Sequence, residues 1–310
     1  MPLAAARRSL AGLAVVVLAG CAGTGATGPV DASAGAPLDA AGHTLARGAV
    51  VERMRAARYV LLGEVHDNAA QHRLRAGLLR ELLADARPTW VVFEQMDRQH
   101  NAAVVAAARE VNAIVAAGQL NQQAWGWPLH RPLFEAALAG GAAIRGGNLG
   151  RADVSPVVRQ GEAGLPPDLR HWFDGSVPAA TWGPAQAELM LRLVDEGHCK
   201  ALPAAMMAPM VLAQRARDAA LADTLLQAPP GVRVVLIAGN GHVRRDLGVP
   251  RYLAAAGVAE DDMLSIGFEE LDAGVAALAD PRYDLAWTSA VAQRSDPCAS
   301  LRTPAKPGPA

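Results

Sequence analysis

Three short apolar runs, each closing on a cluster of polar residues, constrain this chain more than any other feature. Tyr59-Val60-Leu61-Leu62-Gly63 leads into Glu64-Val65-His66-Asp67. Trp90-Val91-Val92-Phe93 leads into Glu94-Gln95, and residues 232–238 lead into Gly239-Asn240-Gly241-His242-Val243-Arg244. The runs are continuous, not alternating, which is the pattern of strands covered on both faces. Weaker strand candidates lie at 143–147, 263–268 and 283–288. Helix-like sequence fills 68–85 and 96–117, and strands alternating with helices predict an α/β fold with a mainly parallel sheet flanked by helices. Residues 150–230 hold no convincing strand. Long Ala/Leu/Met stretches at 186–196 and 203–227 predict an all-helical insertion over one end of the sheet.

In an open parallel sheet, ligands bind beyond the carboxyl ends of the strands. Any one of the three clusters could be a helix cap or a turn, since such residues commonly serve those roles. Three at one expected edge predict a site built from Glu64, His66, Glu94, His242 and Arg244. The Gly239-x-Gly241 pattern lacks the later glycine of a dinucleotide fingerprint. There is no Walker A lysine and no GxSxG elbow.

The N-terminus has the order of a secretory signal: Arg7-Arg8, an apolar run at 10–18 too short to span a bilayer, then Leu18-Ala19-Gly20-Cys21. The last four residues resemble a bacterial lipobox, which implies cleavage after residue 20, lipidation of Cys21 (palmitate among the acyl chains) and anchoring to a membrane, the outer membrane in a Gram-negative cell. Residues 21–42 then read as the lipidated cysteine and a flexible tether, 43–290 as the α/β domain, and 291–310 as a loose proline-bearing tail. Without the signal's two arginines, basic and acidic residues stay close to balance, which gives no support for nucleic-acid binding. Cys199 and Cys298 could pair in an oxidising compartment, but Cys298 falls in the expected tail, which argues against pairing them.

Taken in order, the polar clusters, together with Asn148-Leu149-Gly150-Arg151, His198-Cys199, Gln214-Arg215-Ala216-Arg217-Asp218 and Gly248-Val249-Pro250, resemble the ChaN family of haem-binding lipoproteins. The likeness covers about residues 43–290. It implies haem binding at the cell surface or outer membrane in iron uptake, with a homodimer and a haem-uptake receptor as partners. Two Gly-x-x-His motifs, Gly63-Glu64-Val65-His66 and Gly239-Asn240-Gly241-His242, are similar to those of the wider superfamily of Tiki metalloproteases, TraB proteins and erythromycin esterases. That likeness implies a hydrolytic ancestry.

A haem site needs an axial ligand, an apolar slot and partners for the propionates. The family's haem ligation involves tyrosine, and no motif here marks that position. Tyr59 opens its strand at the far end of the sheet, which leaves Tyr252 and Tyr283 as candidates. Arg151, Arg244 and Arg245 could meet propionates. Met206, Met207 and Met210 could line a slot, although helix core is methionine's commoner role, and His198-Cys199 could offer a ligand. The alternative is a hydrolase: His66 and His242 would hold a divalent metal such as Zn or Mn, with Glu64 or Glu94 as general base on bound water, or His66 and Glu94 would act without metal.

Overall fold

The computed structural model describes residues 35–299. Seven strands form one sheet. In chain order they are β1 (Leu38–Asp39), β2 (Tyr59–Leu62), β3 (Thr89–Asp97), β4 (Ala143–Asn148), β5 (Arg233–Ile237), β6 (Met263–Leu271) and β7 (Leu285–Ala290). Their spatial order is β1-β7-β6-β2-β5-β3-β4, parallel throughout except for β1 against β7. Each predicted apolar run is a strand, and no strand interrupts the chain between β4 and β5.

The continuous runs bury alternate residues on opposite faces, as the period of a strand requires. Val60, Leu62, Val91, Phe93, Val235 and Ile237 pack under α1 (Arg47–Ala56), α2 (Ala69–Leu83), α4 (Val111–Ala117) and α5 (Arg131–Ala139). Tyr59, Leu61, Val92, Val234 and Leu236 pack against α8 (Ala204–Leu226) and α9 (Val249–Ala255). The helical segment opens with α6 (Arg151–Gln160), continues through α7 (Pro184–Gly197), and reaches the sheet in the C-terminal half of α8, where Ala219, Ala220, Leu221 and Leu225 are fully buried. Among the described residues, no helix is long and apolar enough to cross a membrane.

Four expectations need correction. The tether was expected to run to residue 42, but Leu38 and Asp39 already pair with Ala286 and Leu285, and Gly35 N donates to Thr288 O at 2.9 Å. The loose tail was expected from 291, yet Ala292 N donates to Glu270 (2.8 Å) and Arg294 bonds Glu270 and Asp67 (2.7 Å). Cys298 is disulfide-bonded to Cys199, with Cα atoms 5.6 Å apart. The predicted helix over 96–117 is two helices, α3 (Asn101–Ala106) and α4, because β3 runs on to Asp97 and the chain is extended at Ala107 and Glu110. The expected signal and lipidated Cys21, and residues 300–310 of the tail, lie outside the described residues.

Candidate functional site at the carboxyl edge of the sheet

Because β2, β5 and β3 are neighbours in the sheet, the three polar clusters emerge side by side. The register pairs Ile237 with both Leu62 and Phe93, so Gly63, Ala238 and Glu94 leave the ladder at one level. Close packing fixes the first cluster. Asn240 N donates to Glu64 O (2.9 Å), and the Asn240 side chain clamps β6 by accepting from Phe268 N (3.0 Å) and donating to Phe268 O (2.5 Å). Asn68 caps α2 by accepting from Ala70 N and Gln71 N (3.0 and 3.1 Å).

Glu64 is the hub. Its Oε1 accepts from Gln95 Nε2 (3.0 Å) and His130 Nε2 (2.9 Å), and meets His66 Nδ1 at 2.7 Å. Its Oε2 pairs with Arg75 of α2. Both members of that pair are fully buried, as is His130. Burial opposes the charge on Glu64, but Arg75 and the donors from His130 and His66 override it and hold its pKa well below the carboxylate range. Arg75 also donates to His72 Nδ1 (2.7 Å), whose Nε2 donates to His66 O (2.9 Å). Burial, and next the Arg75 charge, push His72 down to about 3, so it is neutral, as its one-donor, one-acceptor bonding requires.

A second network lies beside it. Glu94 Oε2 accepts from Gly239 N (2.7 Å), and Glu94 Oε1 lies 3.2 Å from His242 Nε2. His242 Nδ1 meets Asp218 Oδ1 of α8 at 2.7 Å. With a carboxylate at each nitrogen, the ring is a double donor, an imidazolium. Burial opposes that charge, and Glu94 and Asp218 outweigh it, raising His242 from 6.5 to about 10. Burial likewise opposes ionisation of Glu94, but His242, His66 and the Gly239 N–H hold it down to about 2. For Asp218, burial prevails over His242 and raises its pKa.

His66 joins the two networks at the surface. Its side chain is 49% exposed, and its ring packs edge-on to Trp125 at 4.9 Å between centroids. Burial opposes its charge, while the Glu64 bond, then the Glu94 and Glu64 charges, raise its pKa. In the neutral ring a donor at Nδ1 leaves the lone pair on Nε2, and Nε2 has no hydrogen-bond partner among the described residues.

The structure thus brings together Glu64, His66, Glu94 and His242, and not the other predicted residues. Arg151 is exposed at the start of α6. Arg244 is buried in a bidentate pair with Asp246 (2.8 and 2.6 Å), and Arg245 pairs with Asp284 and Glu260. Tyr252 is buried, its hydroxyl donating to Arg215 O (3.2 Å), and Tyr283 is buried with its hydroxyl donating to Glu269 (2.9 Å). Met207 and Met210 pack against Met190, Val194 and Leu247 as helix core. The expected metal pairing of His66 with His242 is redrawn, because carboxylates occupy both nitrogens of His242. The donors that do converge, within 4.8 Å of one another, are Glu64, His66 and His130. An ion there would have to displace N–H donors from Glu64.

Arg75, His130, Asp218 and Trp125 were not among the side chains expected at the site. Arg75 carried a signal: a charge on the buried stripe of α2, in step with Leu78, Leu79 and Leu82.

The sequence matches the family described as "Haem-binding uptake, Tiki superfamily, ChaN" over residues 50–253. A comparison with curated proteins finds no match. Among solved structures, "Cofacial heme binding to ChaN of Campylobacter jejuni" superposes with a TM-score of 0.66 at 17% identity, covering 83% of this chain and 97% of that one. The erythromycin esterase EreC (TM-score 0.40, 16% identity, 72% of each chain) and the type III effector HopBA1 (0.44, 14%, 84% and 99%) overlap more loosely. The extent of the family match, on a fold shared with the Campylobacter protein, makes this chain a member of the ChaN haem-binding uptake family of the Tiki superfamily.

Proposed function

We propose that this chain is a lipid-anchored, haem-binding protein of iron acquisition, exported and held at the outer membrane through Cys21. Haem is here a cargo, and the polar edge is where it docks. The observation that carries the reading is His66: an exposed imidazole at the carboxyl edge of the sheet, beside Trp125, with one ring nitrogen unengaged. The donor chemistry fits, because haem iron takes imidazole as an axial ligand. The family match and the shared fold supply the rest of the support. The test is titration of ferric haem into the detergent-solubilised full chain, followed by absorbance. A saturable Soret shift is expected, and a linear, unsaturable response would sink the reading. Anchoring is tested separately: labelled palmitate should enter the wild-type chain in a bacterial host and not Cys21→Ser.

Hydrolysis is a second reading that one observation favours. Glu64 orients His66 so that the unengaged edge of its ring lies against Gly239, close to Glu94. A carboxylate-oriented imidazole beside a second carboxylate can draw a proton from water. Elemental analysis of the isolated protein and turnover of a chromogenic ester, lost in Glu94→Gln, would favour this reading over cargo binding.

A further inference from the structure

We propose that the crossover between β6 and β7, with the end of β7 beside it, is a docking face that lies against the acyl region of a phospholipid bilayer. The proposal rests on the lipid-anchoring reading above and adds which face of the domain meets the lipid.

Parallel strands are ordinarily joined by a crossover helix that covers the sheet with its apolar side. β6 and β7 are parallel, yet residues 272–284 between them form neither helix nor strand. The large apolar side chains at the start of this crossover stand in solvent, Val275 55% and Leu278 80% exposed. Val291, just past β7, is 45% exposed. Among the described residues these are three of the five large apolar side chains left exposed, and they gather at one place. Val275 and Val291 line an open groove of about 510 Å³ with Leu271, Ala277 and Ala290, and Leu278 follows Ala277 in the chain. Apolar residues scattered singly over a surface need no partner, whereas a cluster around one groove marks a contact site.

What covers the groove follows from where the chain enters the domain. Gly35 lines the same groove, with its N–H bonded to Thr288 O at 2.9 Å. Gly35 is fourteen residues past Cys21, and fourteen residues reach at most about 50 Å. Lipid on Cys21 therefore keeps the groove within that distance of the bilayer. A tethered contact forms at a high effective concentration, so a few apolar side chains suffice to hold it.

The contact is apolar in character. Asp272 is the one charged residue lining the groove, and the nearby arginines are already committed, Arg282 to Asp280 and Glu269, and Arg294 to Glu270 and Asp67. Docking therefore needs no anionic lipid and is insensitive to salt. It also sets the polar edge beside the bilayer. The groove lies at the carboxyl ends of β6 and β7, and β2 is two strand spacings, about 10 Å, from β7.

The experiment uses the full lipidated chain in phosphatidylcholine vesicles. With Cys21 acylated and Cys199 bonded to Cys298, an introduced cysteine is the one free thiol of the chain. Nitroxide labels are placed at Val275→Cys, Leu278→Cys and, as a control on α3 at the β4 end of the sheet, Val105→Cys. Electron paramagnetic resonance then compares access of oxygen, which concentrates in lipid, with access of a water-soluble nickel chelate. Oxygen should exceed nickel at 275 and 278, and nickel should exceed oxygen at 105, with and without added salt. In a chain labelled at Val291→Cys, adding Val275→Asp and Leu278→Asp should return the label to nickel access while circular dichroism stays unchanged. A 291 label that remains in lipid would overturn the role given to the crossover. Low access of both reagents at 275 and 278 would mean that protein, such as a second copy of the chain, covers the face, and would overturn the proposal. Labels at 275 and 278 that match 105 on an acylated chain would overturn docking and leave the anchoring reading intact. If mass spectrometry finds Cys21 without acyl chains, the anchoring reading itself fails and docking falls with it.

Discussion

Arg75 and Glu64 form an ion pair sealed from solvent. Removing one partner of such a pair leaves an uncompensated buried charge. Arg75→Met should therefore cost roughly 3–5 kcal/mol in urea unfolding, whereas an exposed pair such as Arg192 with Glu188 should cost under about 1 kcal/mol. The pH profile follows from groups of the same networks. Glu94, lowered from 4.5 to about 2, contributes stability above pH 4.5 that is lost as pH falls toward 2. His72, lowered from 6.5 to about 3, is neutral when folded, so stability also falls as pH drops from 6.5 toward 3 and the unfolded chain takes up its proton. His242, raised from 6.5 to about 10, contributes stability below 6.5 that is lost as pH rises toward 10. Asp218, raised, works against the carboxylate trend. Melting temperature should peak near pH 6.5, and in His242→Gln the alkaline decline should flatten. An unchanged alkaline limb would contradict the imidazolium assignment.

At the scale of elements, the strand ends decide what the site can hold. Gly239 has φ −60° and ψ 152°, so its backbone suits any residue. Its constraint is spatial, since an added Cβ would lie 2.8 Å from His66 Cε1 and 3.0 Å from Nε2. Gly239→Ala should displace the His66 ring and weaken haem binding, yet shift unfolding free energy by less than about 1 kcal/mol, because the displaced group is partly exposed. Equal losses of binding and stability would show that the glycine serves the fold instead. The strands were legible because a parallel sheet covered on both faces writes itself as unbroken apolar runs, and their polar ends marked the edge. The supporting residues were less legible. Arg75 and Asp218 sit on buried faces of α2 and α8, where a charge announces only that it has some partner. His130 and Trp125 come from the segment between α4 and α5, which carries no periodic pattern. The helix α1 is short, with no side-chain N-cap and no acidic residue in its first turn, so nothing local marked its start, whereas α5 offered only Pro132 in its first turn.

For the molecule as a whole, the largest departure from the sequence reading is at the two ends of the domain. Residues with the composition of linkers, 35–42 and 291–299, are held by a sheet edge, an acidic anchor at Glu270 and a disulfide. Composition records how much apolar mass a segment owns, and these segments borrow order from partners far away in sequence. A disulfide that closes a long loop stabilises mainly by restricting the unfolded chain. Cys199 and Cys298 are 99 residues apart, and replacing both by serine should cost about 2–4 kcal/mol in urea unfolding. Reductant should reproduce that loss in the wild type and leave the double variant unaffected.

The same bond makes the C-terminal third of the chain a covalent ring that contains α8, β5, β6 and β7, and with them Asp218 and His242. A protease cut at any single place inside that ring opens it without releasing a fragment. On a non-reducing gel the nicked chain should stay in one piece and fall into two on reduction, whereas a cut between residues 35 and 198 should separate it at once. The ring therefore makes one half of the polar edge inseparable, after such a cut, from the half that carries Glu64 and His66.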